Sequence, residues 1–178
     1  MSVAKFNKWQ DINGNLRTTI LQTKYVHKPS TWSAATTGNN FYDVTGLTIN
    51  ITPTFSNSLF LLQCVLYTGV STYQAKFRYT RNSTPIISGD PEGSRPVSSG
   101  TIIMYDDLNS TERYRIFPMI GNHIDVPNTV NPLTYQIQMA AYDGQTVYLN
   151  RSYTWQNSPS LGYDAVPVSS FVVMEIAQ

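Results

Sequence analysis

The sequence predicts an all-β fold, an antiparallel sandwich or barrel, and three observations carry that expectation. Turn-forming residues punctuate the chain about every 8 to 14 residues, with short runs of β-branched and aromatic residues between them. Leu47, Ile49 and Ile51 alternate with Thr48, Asn50 and Thr52, the period of a strand that lays one face on a core. The composition, with 12 Tyr, 7 Phe and 20 Thr, leans towards strands, and no segment carries a helical period.

The elements follow in chain order. Arg17 to His27 reads as a first strand, closed by Lys28-Pro29. Phe41 to Val44 and Leu47 to Thr52 form a second region, stopped by Pro53, which has no N–H to give to a ladder. Ser58 to Gly69 is the longest apolar run. Gln74 to Arg81, Thr84 to Ser88, Gly100 to Asp106, Arg113 to Val126, Leu133 to Tyr142, Thr146 to Tyr153 and Val168 to Ala177 bring the set to roughly ten strands. Their links are of hairpin length, and Tyr142-Asp143-Gly144-Gln145 holds the Asp-Gly pair favoured in type I′ turns. A chain of 178 residues is long enough for one domain with a real core, and residues 17–178 are read as that domain.

Two strands break the usual alternation. In Ser58 to Gly69, Phe60, Leu62, Cys64 and Leu66 face one way, while Leu59, Leu61, Val65 and Tyr67 face the other. In the last strand, Phe171 and Val173 oppose Val172, Met174 and Ile176. Only one face of an antiparallel sheet meets the sandwich core, so the second needs another cover. Leu59, Leu61, Val65 and Tyr67 are therefore read as a subunit interface. The alternative cover is a long loop or the N-terminal segment.

Only 13% of the chain is charged, with 12 basic and 11 acidic side chains and a net charge of +1. An ordinary soluble domain carries about 25%. Polarity comes instead from 17 Ser, 20 Thr and 14 Asn, while 41% of the chain is apolar. That balance argues against both a disordered tail and a nucleic-acid binder. The N-terminus has no apolar signal core and no run approaches the roughly 18 apolar residues of a membrane helix, so neither secretion through a signal peptide nor a membrane partner is expected. The single cysteine, Cys64, sits inside an apolar run and reads as a small buried hydrophobe.

The first 16 residues differ from the rest. Phe6, Trp9, Ile12 and Leu16 are isolated among Asn, Lys, Gln and Gly, with no period strong enough to fold alone. They suggest an extended arm that docks on another protein and orders there. A frayed end with Trp9 tucked onto its own domain is the plainer alternative.

Catalytic chemistry finds little purchase. His27 and His123 have no motif partner, no Gly-x-Ser-x-Gly elbow occurs, and one Cys with two distant His cannot supply a zinc site. No catalytic residue, cofactor or metal is expected. Asp106 to Glu112 gathers three carboxylates and an Asn, oxygen ligands that suit calcium, but reads first as a solvated hairpin facing Arg113 and Arg115. Glu175, inside Val172-Val173-Met174-Glu175-Ile176, needs a partner to avoid an isolated buried charge, and Arg78, Arg81 or Arg151 is expected to supply it. Trp32, Tyr73, Trp155 and Tyr163 lie in expected loops, and Trp155 with Tyr163 could stack on a host-surface glycan or receptor. Packing over the open end of the sandwich is the simpler role for such rings.

Several pieces in order carry a resemblance: Ile20-Leu21-Gln22-Thr23, Phe41 to Pro53, and Ser56-Asn57-Ser58-Leu59-Phe60 come first. Phe77 to Ile86, Asp125-Val126-Pro127, Leu133 to Ile137, Tyr148 to Ser152 and Met174-Glu175-Ile176 continue it. Together they resemble a family of small virion proteins of tailed bacteriophages, especially cyanophages. The resemblance implies a jelly-roll-like β-sandwich that assembles with itself as a trimer on the phage particle, as a fibre, collar or capsid-decorating protein. It implies a protein made in the host cytoplasm and carried in the virion, with other virion proteins as partners. In this reading Phe6, Trp9, Ile12 and Leu16 dock on the particle.

Overall fold

The computed structural model describes residues 19–104, 114–154 and 165–178. Eleven strands lie within them: β1 (Ile20–Lys28), β2 (Trp32–Ala35), β3 (Tyr42–Ile51), β4 (Leu59–Val70), β5 (Tyr73–Arg81), β6 (Thr84–Ile86), β7 (Gly100–Met104), β8 (Phe117–Asp125), β9 (Leu133–Ala141), β10 (Thr146–Leu149) and β11 (Ser169–Ile176). Every pairing is antiparallel. The first sheet runs β1-β11-β4-β8, and β10 continues along the β11 side of β4 past the start of β11, with β2 outside β10. The second runs β3-β9-β5, with β6 and β7 sharing the far edge of β5.

Setting aside the short β2, β6 and β10 leaves two four-stranded sheets, β1-β11-β4-β8 and β3-β9-β5-β7. The chain passes from one sheet to the other between nearly every pair of successive long strands. That strand order is a jelly roll.

Alternation builds the core. Phe60, Leu62, Leu66, Phe171 and Val173 point inward from the first sheet, and Leu47, Ile49, Phe77, Tyr79, Tyr135 and Ile137 from the second. The sheets meet through rings, with Phe60 5.8 Å from Tyr135 and Tyr79 5.9 Å from Phe171. Two β4–β8 features admit the largest of these rings. Gly121 stands opposite Cys64, and a Cβ at Gly121 would collide with the Tyr79 hydroxyl. That hydroxyl lies 3.2 Å from the Cys64 sulfur. Burial pushes the thiol pKa up to about 11, so Cys64 is a packed, protonated group, as its surroundings predict.

Four expectations need correction. Trp32 is not a loop residue: it opens β2, paired with Leu149 and packed against the core, because β10 offers an edge that sequence period could not reveal. Tyr73 likewise begins β5, its ring 5.1 Å from that of Tyr142. The strand expected to run to Tyr153 ends at Leu149, because Asn150 takes a φ of 59°. In the Asp143-Gly144 turn only Gly144 has positive φ, at 73°, so the turn is not type I′. Asp143 is held by a hydrogen bond that the Gly38 N–H donates to its Oδ1, 2.6 Å long.

Replacing Gly121 with Ala should overfill the space beside Tyr79 and lower stability by about 1–3 kcal/mol. Urea unfolding would show this as an earlier midpoint; an unchanged midpoint would mean Gly121 is not required for the Tyr79 packing.

A candidate assembly surface

The two outer sheet faces differ in kind. On the second sheet Arg78 donates to Gln138 (2.8 Å), Gln138 donates to Asp43 (2.6 Å), and Arg78 stacks over Phe41 at 4.3 Å. Thr134 donates to Asn50 at 2.7 Å. The polar groups of this face are joined in a ladder.

The outer face of β1-β11-β4-β8 is apolar. Register aligns Thr23, Met174, Leu61 and Ile124 in one row, Tyr25, Val172, Gln63 and Asn122 in the next, and His27, Ser170, Val65 and Ile120 in a third. Leu59 with Ile176, and Tyr67 with Pro118, close the two ends. None of these outward positions is Asp, Glu, Lys or Arg. Ile120 is 70% exposed, Tyr25 65% and Ile124 46%, so the rim of the face stands in water. Its polar members are Thr23, His27, Ser170, Gln63 and Asn122, the last two in a weak contact of 3.4 Å. A broad uncharged, largely apolar patch of this kind is a candidate interaction surface.

Leu59, Leu61, Val65 and Tyr67 lie together on this face, half-buried along the central strand. Sequence reasoning missed Tyr25, Ile120 and Ile124, because an alternating run does not say which strands become its neighbours. Phe6, Trp9, Ile12 and Leu16 lie outside the described residues, as do Trp155, Tyr163 and the Asp106 to Glu112 loop.

Inside the sandwich, charge is confined to engaged groups. Glu175 is fully buried, and among the described residues no arginine pairs with it, contrary to the expectation of Arg78, Arg81 or Arg151. Its Oε1 accepts hydrogen bonds from the Thr54 and Phe55 N–H groups (2.6 and 3.4 Å), and its Oε2 from the Thr54 hydroxyl (2.9 Å) and Gln22 Nε2 (2.6 Å). Neutral donors on the turn after β3 and on β1 thus replace the expected cation. Burial pushes the Glu175 pKa up, but the bonds from Gln22 and Thr54, with the nearby Ser58 hydroxyl, outweigh it and hold the pKa below its ordinary value of 4.5. Ser58 itself completes no hydrogen bond of good geometry.

The expected arginines are engaged elsewhere. Arg81 Nη1 reaches both oxygens of Asp125 at 2.7 Å, and the Tyr135 hydroxyl donates to the same carboxylate at 2.7 Å. Arg151 lies over Tyr148 at 4.5 Å. A third clasp centres on Asn150, whose amide donates to the Lys28 and Ser30 carbonyls (2.6 and 3.0 Å) and whose oxygen accepts from Ser169 (2.6 Å).

An open cleft of about 410 Å³ lies between β1 and the β3–β9 pair. Its Gln22, Asn50 and Thr134 side chains are bonded within the protein. The two histidines sit on opposite faces of the first sheet, His27 against Tyr25 at 5.3 Å and His123 against Tyr79 at 5.5 Å.

No family model and no curated protein matches the chain. Among solved structures it is similar to the crystal structure of the infectious bursal disease virus VP2 subviral particle, with a TM-score of 0.37 and 11% identity over 99% of this chain and 43% of that one. A structure of the Gx strain of that virus gives 0.35 and 10%, over 99% of this chain and 44% of that one. The chain spans under half the length of both. Likeness at this level assigns no function, and the fold rests on the strand order itself.

Because Glu175 ionises more readily in the folded than in the unfolded chain, its stabilising effect is complete above about pH 4.5 and is lost as pH falls through its lower folded value. Glu175→Gln should cost about 1–3 kcal/mol at pH 7 and flatten the loss of stability below pH 4.5. Thermal unfolding from pH 7 to 3 checks this; identical curves for the two proteins would contradict it.

Proposed function

We propose that this chain is a non-enzymatic structural subunit of a bacteriophage particle, a fibre, collar or capsid-decorating component. It assembles with copies of itself through the outer face of the β1-β11-β4-β8 sheet. The observation that carries the reading is that face: four strands wide, apolar, and free of charge, on a protein whose opposite sheet is polar. Apolar surfaces without charge lose little on desolvation and gain by burial.

The interior supports a structural role. Its two carboxylates are engaged in hydrogen bonds between strands, its thiol is protonated, and its histidines face apart. The phage setting is supported by the ordered sequence pieces, which fall on β1, β3, β4, β5, β9, β10 and β11 or their ends. Those pieces contain Arg81, Asp125, Tyr135, Asn150 and Glu175, so they hold most of the buried polar clasps. A closed three-fold assembly would bury the face without polymerising. The arm of residues 1 to 16 serves as the attachment to other virion proteins.

Two lysines in the middle of the face test the assembly. Leu61→Lys with Val65→Lys should leave a folded chain but weaken self-association at least tenfold, because each charge would be desolvated without a partner. Sedimentation velocity reads the outcome, and a double variant that assembles like the parent would refute the interface. Deleting Met1 to Leu16 should leave the sandwich folded and abolish incorporation into particles; deleted protein found in purified virions at the parent level would remove the docking role.

A further inference from the structure

The four long strands of the first sheet end in two free edges, and these are unequally protected. β1 carries Lys24 and Lys28, and its register with β11 shifts between Ile20 and Gln22. Charge and irregularity of this kind keep an edge from pairing with another chain. The other edges are guarded too: β3 breaks register between Asp43 and Thr48, β2 has four residues, β6 has three including Pro85, and β7 has five.

β8 has none of these guards along most of its length. It is nine residues long and keeps unbroken register with β4 from Phe117 opposite Thr68 to Asp125 opposite Phe60. Among the described residues no strand pairs with its far side. Its one charge, Asp125, is buried and bound to Arg81. Pro118 blunts only the start, leaving Met119 to Ile124 with every N–H.

Its outward row has a symmetry of its own. Ile120, Asn122 and Ile124 read apolar, polar, apolar in either direction. An antiparallel partner running about a two-fold axis at Asn122 would meet the same row: Asn122 opposite Asn122, and Ile120 opposite Ile124 twice. Residues directly opposite sit with Cβ atoms roughly 4.5–5.5 Å apart, close enough for both aliphatic pairs to touch. No charged side chain is set against its own copy.

We propose that the free edge of β8 pairs with β8 of a second copy about this two-fold axis, so that one sheet continues from subunit to subunit. The proposal rests on the self-assembly reading and adds a second contact to it, distinct from burial of the face. In the joined sheet the two uncharged faces become one surface, with Ile120 and Ile124, both exposed in the single chain, at its seam.

The test uses the full chain with Asn122→Cys under a mild disulfide oxidant such as oxidised glutathione. Opposed residues in an antiparallel pair have Cα atoms about 4.5–5.5 Å apart, within the span a disulfide bridges. Asn122→Cys should give a covalent dimer of twice 20.0 kDa in most of the protein, while the parent, with Cys64 buried, gives none. Ile124→Cys alone should not link, whereas Ile120→Cys with Ile124→Cys should. Absent linkage at position 122, or equal linkage at 122 and 124, in a protein that light scattering shows to be oligomeric would overturn the edge pairing and leave self-assembly standing. A chain that stays monomeric overturns both.

Discussion

A strand that is apolar on both faces can satisfy only one of them within its own sandwich. β4 and β11 are such strands, adjacent at the centre of one sheet, and this constraint organises the molecule. Their inner residues, Phe60, Leu62, Leu66, Phe171 and Val173, fill the core with the rings of the second sheet. Their outer residues, flanked by Ile120 and Ile124 on one side and Tyr25 on the other, make a surface with no charge on it. The scarcity of charge in the sequence acquires a location. Among the described residues, charges lie at sheet edges, on the polar sheet, in loops or in buried clasps.

Those clasps decide how rigidly the face is presented. Glu175 ties β11 to β1 and to the turn after β3, Asp125 ties the end of β8 to β5 and β9, and Asn150 draws the ends of β1 and β11 together. A buried carboxylate held by neutral donors is stable only while every donor stays in place, because each lost bond leaves an unsatisfied charge. The strands that carry the apolar face are thereby pinned at their ends, in a register that a slip of one residue would reverse. A surface fixed in this way loses little conformational entropy when it associates.

Much of this was legible in the sequence, and the misses have physical reasons. β3, β4 and β11 are long and strongly patterned, so their limits and both faces of β4 could be read directly. β2 could not, because Trp32 to Ala35 is a strand only where β10 lies beside it. The end of β10 depends on the left-handed backbone of Asn150, which is set by carbonyls more than 100 residues away in the chain. Glu175 was rightly seen to need a partner, yet its donors, Gln22 and Thr54, are neutral and distant in sequence. The face itself was half visible. β4 showed its own outer row, but only strand order could add β8 and β1 to it.

The central claim is that the uncharged face is covered by other copies of the chain. Light scattering on the unmodified protein after size exclusion, over a range of concentrations, tests it most directly. Burial of the face predicts an oligomeric species at a multiple of 20.0 kDa. A single species at 20.0 kDa throughout, with the protein folded, would contradict it.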